Sequence, residues 1–319
     1  MQLITGGKGF IGMNTARALL DLGESCVLTT HHAERPLPDF FQKEVGKRIF
    51  IEALDIADQR AFLEICKRHK VTGIIHLAGA VIGRGPFQNT FEEARDTILG
   101  MLNMLFAAHE WVIPRVSVAS TIGVYAGTGE GPFREDMLLP LTPTHPLPMS
   151  KKILELLGAV VAFGSSLQVI NLRIGGAWGP LFHHARSPWN TPGHLIRSAV
   201  NNEKFDASWA YAEEGGDSCY AKDLGRAIAL LQLSPKLEYF TYNVGTGLTM
   251  KNREVLLAVK KVIPGADIQL SEGYDPGGMG VTFAMDTSRL REDTGFEPVY
   301  DIERGVADYI AWLRQGNEY

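Results

Sequence analysis

Cysteine is scarce: Cys26, Cys66 and Cys219 are the only three among 319 residues. An odd count at wide spacing suits neither a disulfide framework nor a zinc site, so all three read as reduced and structural. A basic surplus is missing as well. Lys and Arg number 31 against 36 Asp and Glu, for a formal charge of -5 and a pI near 6.0. Without cationic excess to neutralise a phosphodiester backbone, nucleic acid is not an expected partner. No apolar run is long enough for a bilayer, the best (156–170) being cut by Gly158, Gly164 and two serines. Met1-Gln2-Leu3-Ile4-Thr5 opens without a basic n-region or apolar h-region, which predicts a cytoplasmic protein. Internal repeats, low-complexity tracts and linker-like stretches are also lacking.

What is present is a folded α/β chain, at 45% hydrophobic residues and a mean hydropathy of -0.02. Apolar β-branched runs at 3–5, 26–30, 49–53, 73–77, 115–120 and 167–173 read as strands. Helical periodicity fills 14–22, 59–69, 91–110 and 150–163. Strand and helix in alternation predict right-handed crossovers and a doubly wound, Rossmann-type parallel sheet over 1–174. Beyond about Gly175 the texture turns to Gly, Pro, Trp and His, with short helices at 191–201, 221–233, 252–262 and 302–314. Residues 175–319 are therefore expected to form a smaller substrate-binding lobe, some of whose elements interleave with the first sheet.

The first strand runs straight into Thr5-Gly6-Gly7-Lys8-Gly9-Phe10-Ile11-Gly12, which fits G-x-G-x-x-G at Gly7, Gly9 and Gly12 and G-x-x-G-x-x-G at Gly6, Gly9 and Gly12. Such glycines allow positive φ and let a pyrophosphate lie on unpaired N–H groups at a helix N-terminus, so dinucleotide binding is predicted. An acidic residue normally follows the second strand and binds the ribose 2′-hydroxyl. Here the chain reads Thr29-Thr30-His31-His32-Ala33-Glu34-Arg35. No carboxylate at the strand end repels a 2′-phosphate, and the Arg35 fork suits one, so NADP is the expected cofactor, with contacts from Thr30, His31 and Arg35. NAD is the alternative, with Glu34 folding back onto the ribose.

Several further segments appear in order. They are Asp55-Ile56, Ile75-His76-Leu77-Ala78-Gly79, Ala119-Ser120-Thr121-Ile122-Gly123-Val124-Tyr125, Arg173 with Trp178-Gly179-Pro180, Tyr220-Ala221-Lys222-Asp223 and Tyr242-Asn243-Val244-Gly245-Thr246-Gly247. With the glycine loop, they make the chain resemble the extended short-chain dehydrogenase/reductase family, which includes nucleotide-sugar epimerases and dehydratases. The resemblance covers nearly the whole length. It implies that Asp55 and Ile56 contact the adenine end of the cofactor and that Leu77, Ala78 and Gly79 run along it. It also implies hydride transfer at a hydroxyl- or ketone-bearing carbon, assisted by a Tyr-x-x-x-Lys pair and a Ser or Thr. By spacing, Thr121 falls on the hydroxyl position and Lys151 on the lysine position, the latter also reaching the nicotinamide ribose. Lys152 is expected to be its exposed neighbour.

The tyrosine is missing. Leu147 stands four residues before Lys151, and none of the nine tyrosines has a lysine four residues later. Leucine can neither give nor take a proton. The leading expectation is an NAD(P)-dependent oxidoreductase whose proton comes from Thr121 through water, from His145, from His183 or His184, or from the substrate. A nucleotide-sugar epimerase or dehydratase with a relocated base is the alternative, and a cofactor-binding protein without activity is a third reading. The resemblance implies a basic residue just before Asp217, but the chain has Glu213-Glu214-Gly215-Gly216, a poor diphosphate clamp that favours a less anionic substrate. Arg197 and Lys204 are expected on solvated faces. Trp178, Trp189 and Trp209 could line an apolar pocket, with His183 beside the substrate, or simply pack a core. The paired histidines His31-His32 and His183-His184 diverge and no ligand spacing surrounds His145 or His194, so no metal is expected. Apolar surplus on helices 91–110 and 150–163 predicts a homodimer, which the resemblance implies is built as a four-helix bundle.

Overall fold

Strand β1 (Gln2–Thr5) is buried at every residue, as befits the middle of a parallel sheet covered on both faces. The computed structural model describes residues 1–31, 37–79, 86–142, 145–182, 190–276 and 283–317. After β1 come α1 (Phe10–Asp21), β2 (Cys26–Thr30), α2 (Asp39–Gln42), β3 (Ile49–Ala53), α3 (Gln59–Arg68), β4 (Gly73–His76), α4 (Phe87–Glu110) and β5 (Arg115–Thr121). A 3-10 turn, Ile122–Tyr125, leads on to α5 (Pro146–Ala162), β6 (Gln168–Ile174) and β7 (Gly176–Trp178). The remainder is α6 (Thr191–Asn201), β8 (Gly215–Tyr220), α7 (Ala221–Leu233), β9 (Thr241–Val244), β10 (Thr249–Lys251), α8 (Asn252–Val262), α9 (Ser288–Thr294) and α10 (Ile302–Arg314).

Seven strands form a parallel sheet in the order β3-β2-β1-β4-β5-β6-β9. The six expected strands are all present. The seventh, β9, is supplied by the C-terminal half and pairs with β6 from Asn171↔Thr241 to Ile174↔Val244. Side-chain alternation divides the core. Ile4, Leu28 and Ile75 face the layer of α1 and α7, whereas Leu3, Val27, Ile74, Val116 and Val118 face α3, α4 and α5. Helix α7 lies so close on α1 that a Cβ on Gly225 would stand 2.3 Å from the Asn14 carbonyl oxygen. A three-stranded sheet, β10-β8-β7, carries the second core with α6, α8 and α10, built around Trp178, Tyr220, Val255 and Val306.

Helix starts differ most from the periodicity. α5 begins at Pro146 because His145 caps it, its Nδ1 accepting from Leu147 N at 3.3 Å, and a proline in the first turn has no N–H to lose. α1 begins at Phe10 directly after the extended Gly9, with no side chain capping its first N–H groups. α9 buries only Leu290 and has too little periodicity to be read in advance.

Candidate active site

The glycine loop is shaped by close approaches rather than by flexibility. Gly6 has φ +65, and a Cβ there would press on Ala78 N at 3.1 Å. One on Gly7 would meet Ile4 O and the Leu28 Cα, both at 2.8 Å, while one on Gly12 would meet Gly6 O at 2.6 Å. Loop, β2 and the end of β4 are therefore in backbone contact, leaving the first N–H groups of α1 open at the carboxyl ends of the strands. Beside them lies a cavity of about 670 Å³. Gly6, His31, Asp55, Ile56, Ala78 and Gly79, all read as cofactor residues from sequence, line one wall. Asn89, Glu92, Glu93, Asp96 and Thr97 of α4 line the other; nothing in their sequence pattern had marked them. The cradle fits a dinucleotide: its glycines admit no side chain, and its volume is in the range of a small-molecule site.

At the end of β4, His76 is fully buried, and its Nδ1 is 2.8 Å from the Thr5 hydroxyl. That hydroxyl also accepts from Ala78 N at 3.2 Å, tying the end of β1 to the chain that follows β4. Nε2 has no hydrogen-bond partner among the described residues. Burial, reinforced by the Lys151 charge, holds the imidazole pKa down to about 3, so His76 is neutral at physiological pH.

Thr121 ends β5 and caps the 3-10 turn, its Oγ1 accepting from Gly123 N at 3.2 Å, which leaves the hydroxyl hydrogen for another acceptor. Leu147 and Lys151 sit one turn apart at the start of α5. Burial alone pulls the Lys151 ammonium down to about 8. Lys152, expected to be exposed, is in fact buried; its amine donates to the Pro140 carbonyl. One turn beyond, Glu155 accepts from Ser120 Oγ and from Arg173, at 3.1 Å from Nε and 2.8 Å from Nη2. Burial opposes the Arg173 charge, but Glu155 outweighs it and holds that guanidinium above its ordinary pKa. Arg173 also donates to the Tyr125 hydroxyl at 2.9 Å, which donates to Asn243 Oδ1 at 2.7 Å. Sequence reading had missed this buried chain of Ser120, Glu155, Arg173, Tyr125 and Asn243, although four of its members lie inside segments quoted for the family resemblance.

Other residues sit differently from expectation. Trp178 is 2% exposed, edge-on to Tyr220 at 4.9 Å, and packs over Gly305, so it belongs to a core rather than to a cleft wall. Arg197 is no solvated residue: it donates to Phe182 O and to the Tyr309 hydroxyl, each at 3.0 Å. Glu213 is compensated by Lys251, at 2.9 Å, and by Arg253, so the acidic pair before β8 repels an anionic substrate less than its sequence suggests. His145 is exposed and spends Nδ1 on the helix cap. Arg35, Glu34, His183, His184 and Trp189 lie outside the described residues. Among the described residues, no three His, Cys, Asp or Glu side chains gather as metal ligands would, and no helix is long and apolar enough to cross a membrane.

This architecture can be compared with known proteins. The model of the NAD dependent epimerase/dehydratase family matches residues 2–245. The chain belongs to that family. It is 26% identical to the low-salt glycan biosynthesis protein Agl12 of Haloferax volcanii, over 95% of each chain. It is 24% identical to a UDP-glucuronate 4-epimerase of Thermodesulfobacterium geofontis, covering 99% of this chain and 97% of that one. Among solved structures, a UDP-glucose 4-epimerase of Thermotoga maritima with UDP-glucose superposes with TM-score 0.81 at 20% identity, over 99% of both chains. A dTDP-glucose 4,6-dehydratase of Bacillus anthracis in complex with NAD gives TM-score 0.78 at 19% identity, over 99% of this chain and 97% of that one. The fold is thus the Rossmann-type architecture of these enzymes, and the chain is an enzyme of an NAD-dependent family.

Proposed function

We propose that this protein oxidises a hydroxyl-bearing sugar carbon by hydride transfer and returns the hydride in the same catalytic cycle, as an epimerase or dehydratase does, on a nucleotide-linked sugar. The observation that carries this reading is the cavity beside the glycine loop, where Gly6, Asp55, Ile56, Ala78 and Gly79 come together in a chain that the epimerase/dehydratase family model matches over residues 2–245. Backbone N–H groups from Gly6, Phe10, Ile11 and Gly12 would hold the pyrophosphate, Gly7 and Gly9 letting it approach closely while their own N–H groups bond Thr29 O and Gly6 O; Asp55 and Ile56 would hold the adenine end, and Thr30 and His31 the ribose. Leu77, Ala78 and Gly79 would flank the nicotinamide half, and Lys151 its ribose. Bound there, the dinucleotide supplies the hydride acceptor and donor. Thr121, its hydroxyl hydrogen uncommitted among the described residues, orients the substrate oxygen. The substrate side falls to the second lobe, residues 175–319, together with β9.

NAD is the cofactor we favour over NADP. Asp55, Glu92 and Asp96 rim the cavity, and a 2′-phosphate among them would meet like charge. The NADP expectation rested on Arg35, outside the described residues. Relatives that act on UDP-sugars, and the compensation of Glu213, support an anionic substrate. The second reading, net oxidation or reduction of a simple alcohol or ketone, is favoured by Leu147 and by Gly216, which offers no cation before Asp217. We also propose a cytoplasmic homodimer. The three buried free thiols suit a reducing compartment; burial pushes those of Cys26 and Cys66 up to about 12.

The deciding experiment incubates the protein and NAD with UDP-glucose, UDP-glucuronate, dTDP-glucose, cyclohexanol and cyclohexanone and resolves the products by chromatography. Epimerised or dehydrated sugar without net NADH supports the first reading. Stoichiometric NADH with cyclohexanol, and none of those sugar products, replaces it with the second.

A further inference from the structure

The strand order β3-β2-β1-β4-β5 reverses between β1 and β4, the point at which a doubly wound sheet opens a crevice at its carboxyl ends. Thr5 and His76 are the last register pair of those two strands. Both are buried, and by alternation they face the layer of α3, α4 and α5 together with Leu3 and Ile74. Two apolar side chains of the same shape could fill that place with no polar group to satisfy. The chain instead has a hydroxyl and an imidazole, with Thr5 Oγ1 and His76 Nδ1 2.8 Å apart. Beyond the pair the strand ladder ends, and Thr5 carries the outgoing β4 chain: its carbonyl accepts from Leu77 N and its Oγ1 from Ala78 N, each at 3.2 Å. Ala78 is thereby laid on Gly6, so closely that a Cβ on that glycine would stand 3.1 Å from Ala78 N and 3.2 Å from its Cα. Gly6, Ala78 and Gly79 line the same cavity.

We propose that His76 is a positioning residue for the dinucleotide, acting through the Thr5 hydroxyl; this rests on the cofactor reading above. The imidazole nitrogen fixes the hydroxyl, whose β-branched side chain has few rotamers to choose from. The hydroxyl oxygen fixes Ala78 N, and it does so in either imidazole tautomer, because a hydroxyl accepts twice and donates once. The Ala78 backbone, seated on Gly6, then sets the spacing between the glycine loop and the Leu77–Gly79 segment before the cofactor arrives. A wall held in its bound geometry costs little ordering when the ligand docks, so the pair acts on affinity for the dinucleotide.

The test needs no substrate. Calorimetry on the full chain measures the Kd of NAD for the native protein and four variants, each below its own melting temperature. Thr5→Val keeps the shape and loses the hydroxyl, and His76→Phe keeps a ring and loses the nitrogen. Each is expected to weaken NAD binding about tenfold. Thr5→Ser, which keeps the hydroxyl, and His76→Asn, whose amide can stand where Nδ1 was, should restore most of that affinity. If Thr5→Val and His76→Phe melt lower yet bind NAD as the native protein does, the pair only stabilises the sheet and the proposal falls. A native protein that binds neither NAD nor NADP overturns the cofactor reading, and the proposal with it. Should Thr5→Val and His76→Phe fail to fold, hydrogen exchange on the native protein decides. The Ala78 amide is expected to be protected before NAD is added; free exchange there until NAD binds overturns the proposal.

Discussion

Glu155 and Arg173 form a two-point ion pair in the interior, 3.1 Å from Nε to Oε1 and 2.8 Å from Nη2 to Oε2. Ser120 donates to the same Oε1, so α5 is fastened to β5 and β6 directly behind Thr121 and Lys151. Breaking such a pair from one side leaves a bare charge in the core. Arg173→Met or Glu155→Leu is expected to lose about 3–5 kcal/mol in urea unfolding, whereas the double substitution should recover part of that loss. Additive losses in the double variant would show that the two residues stabilise the fold independently.

The glycine cradle makes a sharper prediction. A side chain on Gly7 must displace β2 backbone, because Leu28 Cα and Ile4 O would both stand 2.8 Å from its Cβ. Gly7→Val should lower the melting temperature and abolish the stabilisation given by NAD. In the native protein NAD should raise that temperature more than NADP at equal concentration, and Asp96→Asn should narrow the difference, since Asp96 is one of the carboxylates rimming the cavity.

Acid stability should depend on His76. Its folded pKa is about 3, against an ordinary value of 6.5, so between those limits the unfolded chain binds a proton that the native state refuses. Native stability is therefore present above the ordinary value and is lost as pH falls from 6.5 towards 3, at a slope of up to about 1.4 kcal/mol per pH unit. His76→Phe should flatten the urea-unfolding profile across that window. A profile as steep as the native one would assign the acid sensitivity to other groups.

Lys151 acts on stability in the opposite pH range. Its folded pKa of about 8 lies below the ordinary 10.5, so below both values the native state bears the cost of a partly desolvated ammonium, and stability rises as pH climbs between them. Lys151→Met should consequently unfold at a higher temperature than the native protein at pH 7, with the gap closing by pH 10.

Helices α4 and α5 leave Phe91, Leu102, Phe106, Ile153, Leu156 and Val160 exposed, a face far more apolar than solvent contact warrants. Light scattering should give twice the chain mass at micromolar concentration. The pair Leu156→Glu and Val160→Glu should yield a folded monomer with an unchanged far-ultraviolet spectrum.

Legibility from sequence followed the strength of the local signal. β2 and β3 and helices α6, α7, α8 and α10 lie where periodicity alone put them, and Gly6, Asp55, Ile56, Ala78 and Gly79 line one cavity. Charge in a long side chain was harder to read. Lys152, Arg197 and Glu213 are each engaged by a partner that is distant in sequence or lies in irregular chain, which no spacing rule reveals. The same holds for the α4 wall of the cavity, where Glu92 and Asp96 look like an ordinary solvated helix face until the sheet places Asp55 opposite them. Leu147 was visible because it broke a pattern, whereas the lowered pKa of Lys151 one turn on depends on desolvation that no spacing rule shows.

Strand β9 comes from residues 241–244, yet it completes a sheet whose other six strands end by Ile174. Until roughly three-quarters of the polypeptide has left the ribosome, β6 is a raw edge and α1 lacks the cover of α7. The first half of the chain thus cannot mature alone during synthesis. A gene fragment ending near codon 175 should yield aggregating protein rather than an isolated nucleotide-binding module.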